Sequence, residues 1–289
     1  MSPLPLVVIT GPTASGKTGL AIDIAKRFNG EIISADSRAI YKGMDIGSAK
    51  PTTAEREGIL HWGFDLVEPG QRFTAYDFKC FADSKIEDIR SRGRLPILVG
   101  GTGLYVDAVI FDFQFNSTNI DEVFRQTLEV MTLDELHKYC EKNNILLPEN
   151  SKNKRHVISA IERKNTSIKG RKEPIDDIII VGIATDRDVL RKRIARRSEQ
   201  IFQDGVVDEA TMLGKKYGWN SEAMTGNIYP LIRRYLSGEL TLSEVRESFV
   251  TLDWRLAKRQ MTWLRRNPFI HWGPLDELRS YLFERLAKS

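Results

Sequence analysis

A chain of 289 residues can bury a full core, and its hydrophobic fraction of 41% beside 28% charged residues is that of an ordinary soluble protein. No apolar run approaches the roughly 20 residues needed to span a bilayer, and Cys80 and Cys140 offer neither metal-ligand spacing nor a disulfide framework. A formal net charge of +4 is too small to argue for a polyanionic partner, so the placement of the charges has to carry that argument.

Met1-Ser2-Pro3-Leu4 runs straight into the first expected strand, Leu6–Thr10, which leaves no room for a signal or transit peptide; a reducing, cytoplasmic setting is expected. The strand leads into Gly11-Pro12-Thr13-Ala14-Ser15-Gly16-Lys17-Thr18 and then a helix over Lys17–Phe28. Strand, glycine-bounded loop and helix, spaced G-x-x-x-x-G-K-[ST], form the pattern of a phosphate-binding loop. The glycines let the backbone wrap a phosphate, so that N–H groups and the positive end of the helix dipole converge on it. Lys17 can reach the outer phosphate, and the Thr18 hydroxyl can ligate a Mg²⁺ ion bridging two phosphates.

Further strands are expected at Glu31–Ser34, Phe64–Glu68, Pro96–Gly100 and Ile178–Ala184, with a helix at Ala75–Arg92. Short apolar strands alternating with helices argue for a parallel sheet covered on both faces. The pattern breaks near Phe111. Residues 112–174 lack strand runs, show helical spacing over Val123–Met131 and Leu133–Lys142, and hold the polar stretch 148–154. We read 1–111 as the first part of an α/β core, 112–174 as a mostly helical insertion, and 175–289 as the completion of the core with basic C-terminal helices. In that last part Asp186 caps a basic helix, Asp204-Gly205 ends it, and helices follow over Val207–Tyr217 and Leu242–Arg266, the latter stopped by Asn267-Pro268.

Three features bear on the chemistry. The run Leu95–Val99 ends in Gly100-Gly101-Thr102-Gly103 without the carboxylate an ATPase strand usually carries, although Asp65 or Glu68 could substitute; no guanine-reading N-K-x-D run is present. A motor-type NTPase or a GTPase is therefore disfavoured. Asp36, in Ser34-Ala35-Asp36-Ser37-Arg38, closes the second strand, where ligands of open parallel sheets bind. A carboxylate there can take a proton from an attacking nucleophile, or it can cap the following loop or hold a metal-bound water. Thr102 would point into the same crevice or cap its own helix.

In Trp254–Arg266, helical spacing sets Arg255, Arg259, Thr262 and Arg266 on one face and Leu252, Leu256 and Trp263 on another. A basic face over an apolar one suits a nucleic-acid backbone, or simply solvent. Arg187, Arg191, Lys192, Arg193, Arg196 and Arg197 form a second cluster with the same two readings. Tyr41, Tyr105, Phe113 and Phe115 are base stackers or, more often for isolated aromatics, core.

Together these blocks resemble one family, the tRNA dimethylallyltransferases, also called tRNA isopentenyltransferases. Gly11–Thr18 is similar to its loop G-P-T-A-x-G-K-T, Ile33–Arg38 with Tyr41–Pro51 to its long second signature, Pro96–Tyr105 to its third, and Ala257–Arg265 to its C-terminal block. The resemblance implies a P-loop nucleoside-triphosphate-hydrolase-like core with a parallel sheet, a helical insertion and a helical C-terminal part. It also implies transfer of a dimethylallyl group from dimethylallyl diphosphate to the N6 amine of adenosine 37 in tRNA.

Under that resemblance Gly11, Pro12, Thr13, Ala14, Ser15, Gly16, Lys17 and Thr18 hold the diphosphate, with Mg²⁺ on Thr18, and Asp36, Thr102 and Lys17 are catalytic. Asp36, Ser37, Arg38, Ala39, Thr102, Arg125, Arg155, Lys258, Arg259 and Gln260 contact the anticodon arm. Apart from the resemblance, the chain is expected to act as a monomer and without a membrane. The chain departs from the family pattern at His156 and Ser159, where arginines are usual, at Pro230, and at Asp253-Trp254, where a T-R pair is usual. Alternative readings are prenylation of a free adenine nucleotide, a P-loop small-molecule kinase, and a non-catalytic RNA-binding protein.

Overall fold

Six short strands line up in one wholly parallel sheet: β1 (Leu6–Thr10), β2 (Gly30–Ser34), β3 (His61–Trp62), β4 (Leu95–Gly100), β5 (Ile178–Ile183) and β6 (His271–Gly273), in the order β3-β2-β4-β1-β5-β6. This computed structural model describes residues 4–115, 122–164 and 169–288; the expected start at Met1-Ser2-Pro3 and parts of the 112–174 segment lie outside them. One compact unit comprises Met1–Asp112 with Lys172–Ser289, and a second comprises Phe113–Arg171.

In the first unit the helices are α1 (Lys17–Arg27), α2 (Ala75–Ser91) and α3 (Gly103–Ile110), then, after the second unit's α4 (Glu122–Val130), α5 (Leu133–Lys142) and α6 (Lys154–Arg163), α7 (Arg187–Gln203), α8 (Val206–Tyr217), α9 (Ile228–Leu236), α10 (Leu242–Leu264) and α11 (Leu275–Leu286). Strand alternation splits the core. Val7 and Ile9 pack with Leu20 and Ile24 of α1 and Leu278 and Leu282 of α11, whereas Leu6 and Val8 pack with Phe78 of α2 and Val106 of α3. A third cluster joins Ile40, Tyr41 and Met44 to α8, α9 and α10. No helix among the described residues is long and apolar enough to cross a membrane.

The structure corrects several expectations. Phe64–Glu68 is not a strand: β3 is only His61–Trp62, and Val67 contributes a single bridge to Tyr41. Gly63 at φ +91° and Asp65 at φ +54° turn the chain away, and a Cβ on Gly63 would lie 2.7 Å from the Ser34 carbonyl oxygen, so only glycine fits this approach. The Asp65 carboxylate is held by Lys50 Nζ at 2.6 Å, and Glu68 by Lys42 and by the Tyr217 hydroxyl, so neither takes the place of an ATPase strand carboxylate. Trp263 is exposed, its indole N–H donating to Asp107 Oδ2 at 2.6 Å; Leu264 is the buried member of that turn. Tyr41 and Tyr105 are core, the latter stacked on Phe78 at 4.2 Å. β6, α9 and α11 had no expectation; Pro230 is accommodated in the first turn of α9, where its missing N–H costs nothing.

Within the second unit, α4, α5 and α6 close on Leu128, Leu136, Cys140, Val157 and Ile161. Thr132 caps α5 in a reciprocal box with Glu135.

Candidate functional site

Three turns, at the C-terminal ends of β1, β2 and β4, face one cleft of about 680 Å³. The first is the glycine loop. Gly11 at φ +147° and Gly16 at φ +98° hold conformations that side chains rarely adopt, and a Cβ on Gly16 would approach Leu275 Cδ1 to 2.7 Å. Ser15 N donates to Pro12 O at 3.3 Å, curling the loop, and Lys17 Nζ donates to the same carbonyl at 2.7 Å. Burial pushes the Lys17 ammonium down to about 8, with Asp36 working against that shift and Arg197 adding to it.

The loop is gripped from outside by two helices. From α7, Arg193 Nη1 donates to Ser15 O at 3.0 Å and Arg197 Nη1 to Thr13 Oγ1. From α10, Gln260 Oε1 accepts from the Thr13 backbone N–H at 2.8 Å. The buried Ser15 Oγ and Arg197 Nε have no hydrogen-bond partner among the described residues, which suits groups that a phosphate oxygen would satisfy. Arg193 and Arg197 stood in the sequence only as members of a basic cluster; nothing in their spacing said which two of six would meet the loop.

The second turn carries Asp36. Its Oδ1 accepts from Arg38 N at 2.7 Å and Ala39 N at 3.3 Å, so the capping role is real. Oδ2 receives no hydrogen bond from the described residues, and Asp36 lines the cleft, so the cap leaves one oxygen open to a ligand. The third turn brings Thr102, whose Oγ1 accepts from Ser37 N at 3.1 Å instead of capping α3. Asp36 and Thr102 are thus locked together through Ser37. Arg38 reaches sideways, donating to Glu222 O at 3.0 Å and Thr225 Oγ1 at 3.1 Å, and Ala39 is buried beneath the turn.

Arg259 lines the cleft from α10; Lys258 beside it is exposed, its Nζ 6.0 Å from the Trp254 ring centroid. Arg187 and Arg191 lie over the same indole at 5.6 and 4.8 Å. Gln260, expected to face RNA, has its amide oxygen on the glycine loop instead. The two remaining candidates belong to the second unit. Arg125 is mostly buried there, its guanidinium held by Glu162 at 2.8 Å and Glu129 at 2.8 Å; Arg155 is exposed in the first turn of α6. Thr18 is exposed at the start of α1, and no group of three metal-ligating side chains occurs among the described residues.

A wall of the cleft that sequence reasoning missed is built on Glu209. Its carboxylate accepts from the amides of Asp45, Ile46 and Gly47 at 2.6 to 2.9 Å and from the Tyr229 hydroxyl at 2.9 Å. Lys50, buried, ties the same segment through Tyr41 O, Asp45 and Asp65.

Residues 39–267 match the family model described as IPP transferase, and residues 4–61 the model described as isopentenyl transferase. The chain is 41% identical to the tRNA dimethylallyltransferase of Acetivibrio thermocellus, over 95% of this chain and 93% of that protein. It is 37% identical to the tRNA dimethylallyltransferase of Anoxybacillus flavithermus, over 97% and 93%. The crystal structure of the full-length tRNA isopentenylpyrophosphate transferase from Bacillus halodurans matches with a TM-score of 0.75 at 36% identity, covering 98% of this chain and 97% of that one.

Proposed function

This chain belongs to the IPP transferase family, and we propose that it transfers a dimethylallyl group from dimethylallyl diphosphate to the N6 amine of adenosine 37 in tRNA, in the cytoplasm. The observation that carries the reading is the pairing, in one cleft, of a phosphate-type glycine loop with a carboxylate that keeps one oxygen open. The loop amides, Lys17, Arg193 and Arg197 bind the diphosphate and stabilise the charge that grows on it as it leaves.

The residues fit a Mg²⁺ ion held by one hydroxyl, that of Thr18, with diphosphate oxygens and water, since Mg²⁺ keeps several waters and needs few protein ligands. Such an ion supplies Lewis-acid neutralisation of the leaving group. In the transfer, the N6 lone pair forms a bond to C1 of the dimethylallyl group as the C1–O bond breaks. The electron pair of that bond departs with the diphosphate, and Asp36 Oδ2 takes the proton from N6. Thr102 holds the Asp36 turn through Ser37 and so fixes that oxygen against the amine. An adenosine in the anticodon loop reaches the cleft only when turned out of its stack. The exposed Lys258 and Arg259 supply backbone contacts on the tRNA side.

The test is prenyl transfer from labelled dimethylallyl diphosphate with Mg²⁺, offering tRNA and AMP side by side. Label on tRNA alone is expected. Label on AMP alone would make the chain a free-nucleotide prenyltransferase, and label on neither would overturn the proposal.

A further inference from the structure

The cleft holds a second carboxylate that the transfer just described does not use. Asp253 sits on α10 with 4% of its surface exposed, yet it lines the cleft. Its Oδ1 accepts from Asn227 Nδ2 at 2.9 Å, no lysine or arginine pairs with it, and Oδ2 has no hydrogen-bond partner among the described residues. That leaves Oδ2 as an acceptor available to a ligand in the cleft.

Its position narrows the ligand. Phe249, Asp253, Leu256 and Gln260 form the cleft-facing stripe of α10. Gln260 touches the glycine loop, and Asp253 lies seven residues back, about 10 Å along the axis at about 1.5 Å per residue. Arg38 ties the neighbouring 222–225 segment to the Asp36 turn, and Asn227 and Asp253 line the same cleft as Asp36. A phosphate is repelled by a carboxylate, and a dimethylallyl group offers it nothing. A carboxylate oxygen accepts hydrogen bonds, so the partner sought is an N–H or O–H donor.

We propose that Asp253, oriented by Asn227, accepts through Oδ2 a hydrogen bond from an N–H or O–H of the accepting nucleoside, and thereby determines which nucleoside the cleft admits. The inference rests on the transferase reading above. It concerns one of the positions at which this chain departs from the family motif.

Asp253→Asn separates this role from a structural one. The variant keeps a side-chain oxygen for Asn227 but turns an N–H toward the cleft where an acceptor stood. Expected are a rise of about tenfold or more in KM and Kd for tRNA, with an unchanged KM for dimethylallyl diphosphate and an unchanged Tm. Asn227→Ala, which loosens the carboxylate without removing it, is expected to raise the tRNA KM less. Unchanged tRNA Kd in Asp253→Asn, or a fall in Tm with both KM values rising together, overturns the inference alone. Absence of transfer by the wild-type chain overturns the transferase reading and this inference with it.

Discussion

The side-chain oxygen of Gln260 and the backbone N–H of Thr13, 247 residues apart in sequence, are joined by a 2.8 Å hydrogen bond. The bond makes the basic C-terminal helix a support of the glycine loop. Gly101 makes room for it, since a Cβ there would fall 2.5 Å from Gln260 Nε2. Gln260→Ala is expected to raise the KM for dimethylallyl diphosphate about five- to tenfold, as a bond worth about 1 kcal/mol is lost, while leaving the KM for tRNA unchanged. A rise confined to the tRNA KM would assign Gln260 to the RNA instead.

Asp36 caps its turn through Oδ1, and the proposed transfer gives Oδ2 a separate duty, so the two can be tested apart. Asp36→Asn keeps an oxygen for the amides of Arg38 and Ala39 but removes the base. We expect kcat to fall by about 10²–10⁴ with Tm and diphosphate affinity preserved. A parallel loss of Tm would make Asp36 a structural cap.

Lys17 imposes a pH dependence of defined sign. Its folded value of about 8 lies below that of an unfolded lysine. Between the two, the folded chain binds fewer protons than the unfolded one, so free-chain stability rises with pH through that window, and the burial penalty is fully present below about pH 8. Diphosphate binding runs the other way, because it favours the protonated amine. Calorimetric Kd values for diphosphate are expected to weaken above about pH 8, approaching tenfold per pH unit, and Lys17→Met is expected to flatten the profile. The same slope in both proteins would exclude Lys17 as its source.

Lys258 and Arg259 are exposed, and neither is ion-paired with a described carboxylate. Replacing both by alanine is expected to weaken tRNA binding and to reduce the slope of log K against log salt by about 1 to 2. An unchanged slope would move the RNA backbone away from this helix.

What could be read from sequence was what is local. The loop Gly11–Thr18 lies between a strand and a helix it helps define, and Asp36 and Thr102 follow their strands directly, so each could be placed before its neighbours were known. Phe64–Glu68 misled because a run whose Leu66 and Val67 pack on the third core cluster has the composition of a strand; the positive φ at Gly63 and Asp65 that breaks it leaves little trace in hydropathy. Trp263 and Leu264 are adjacent on α10, and periodicity alone chose the wrong one. The partners of Gln260, Arg193, Arg197 and Asp253 are set by tertiary contacts across 26 to 247 residues. Arg125 was assigned to RNA by resemblance alone, and its partner Glu162, 37 residues away, is set by the packing of the second unit.

Prenyl transfer to a tRNA adenosine through Asp36 is checked by nucleoside analysis of tRNA after reaction with dimethylallyl diphosphate and Mg²⁺. N6-dimethylallyl-adenosine at position 37 is expected with the wild-type chain, and close to none with Asp36→Asn under the same conditions. Unmodified tRNA with the wild-type chain, or equal yields from the two proteins, would contradict it.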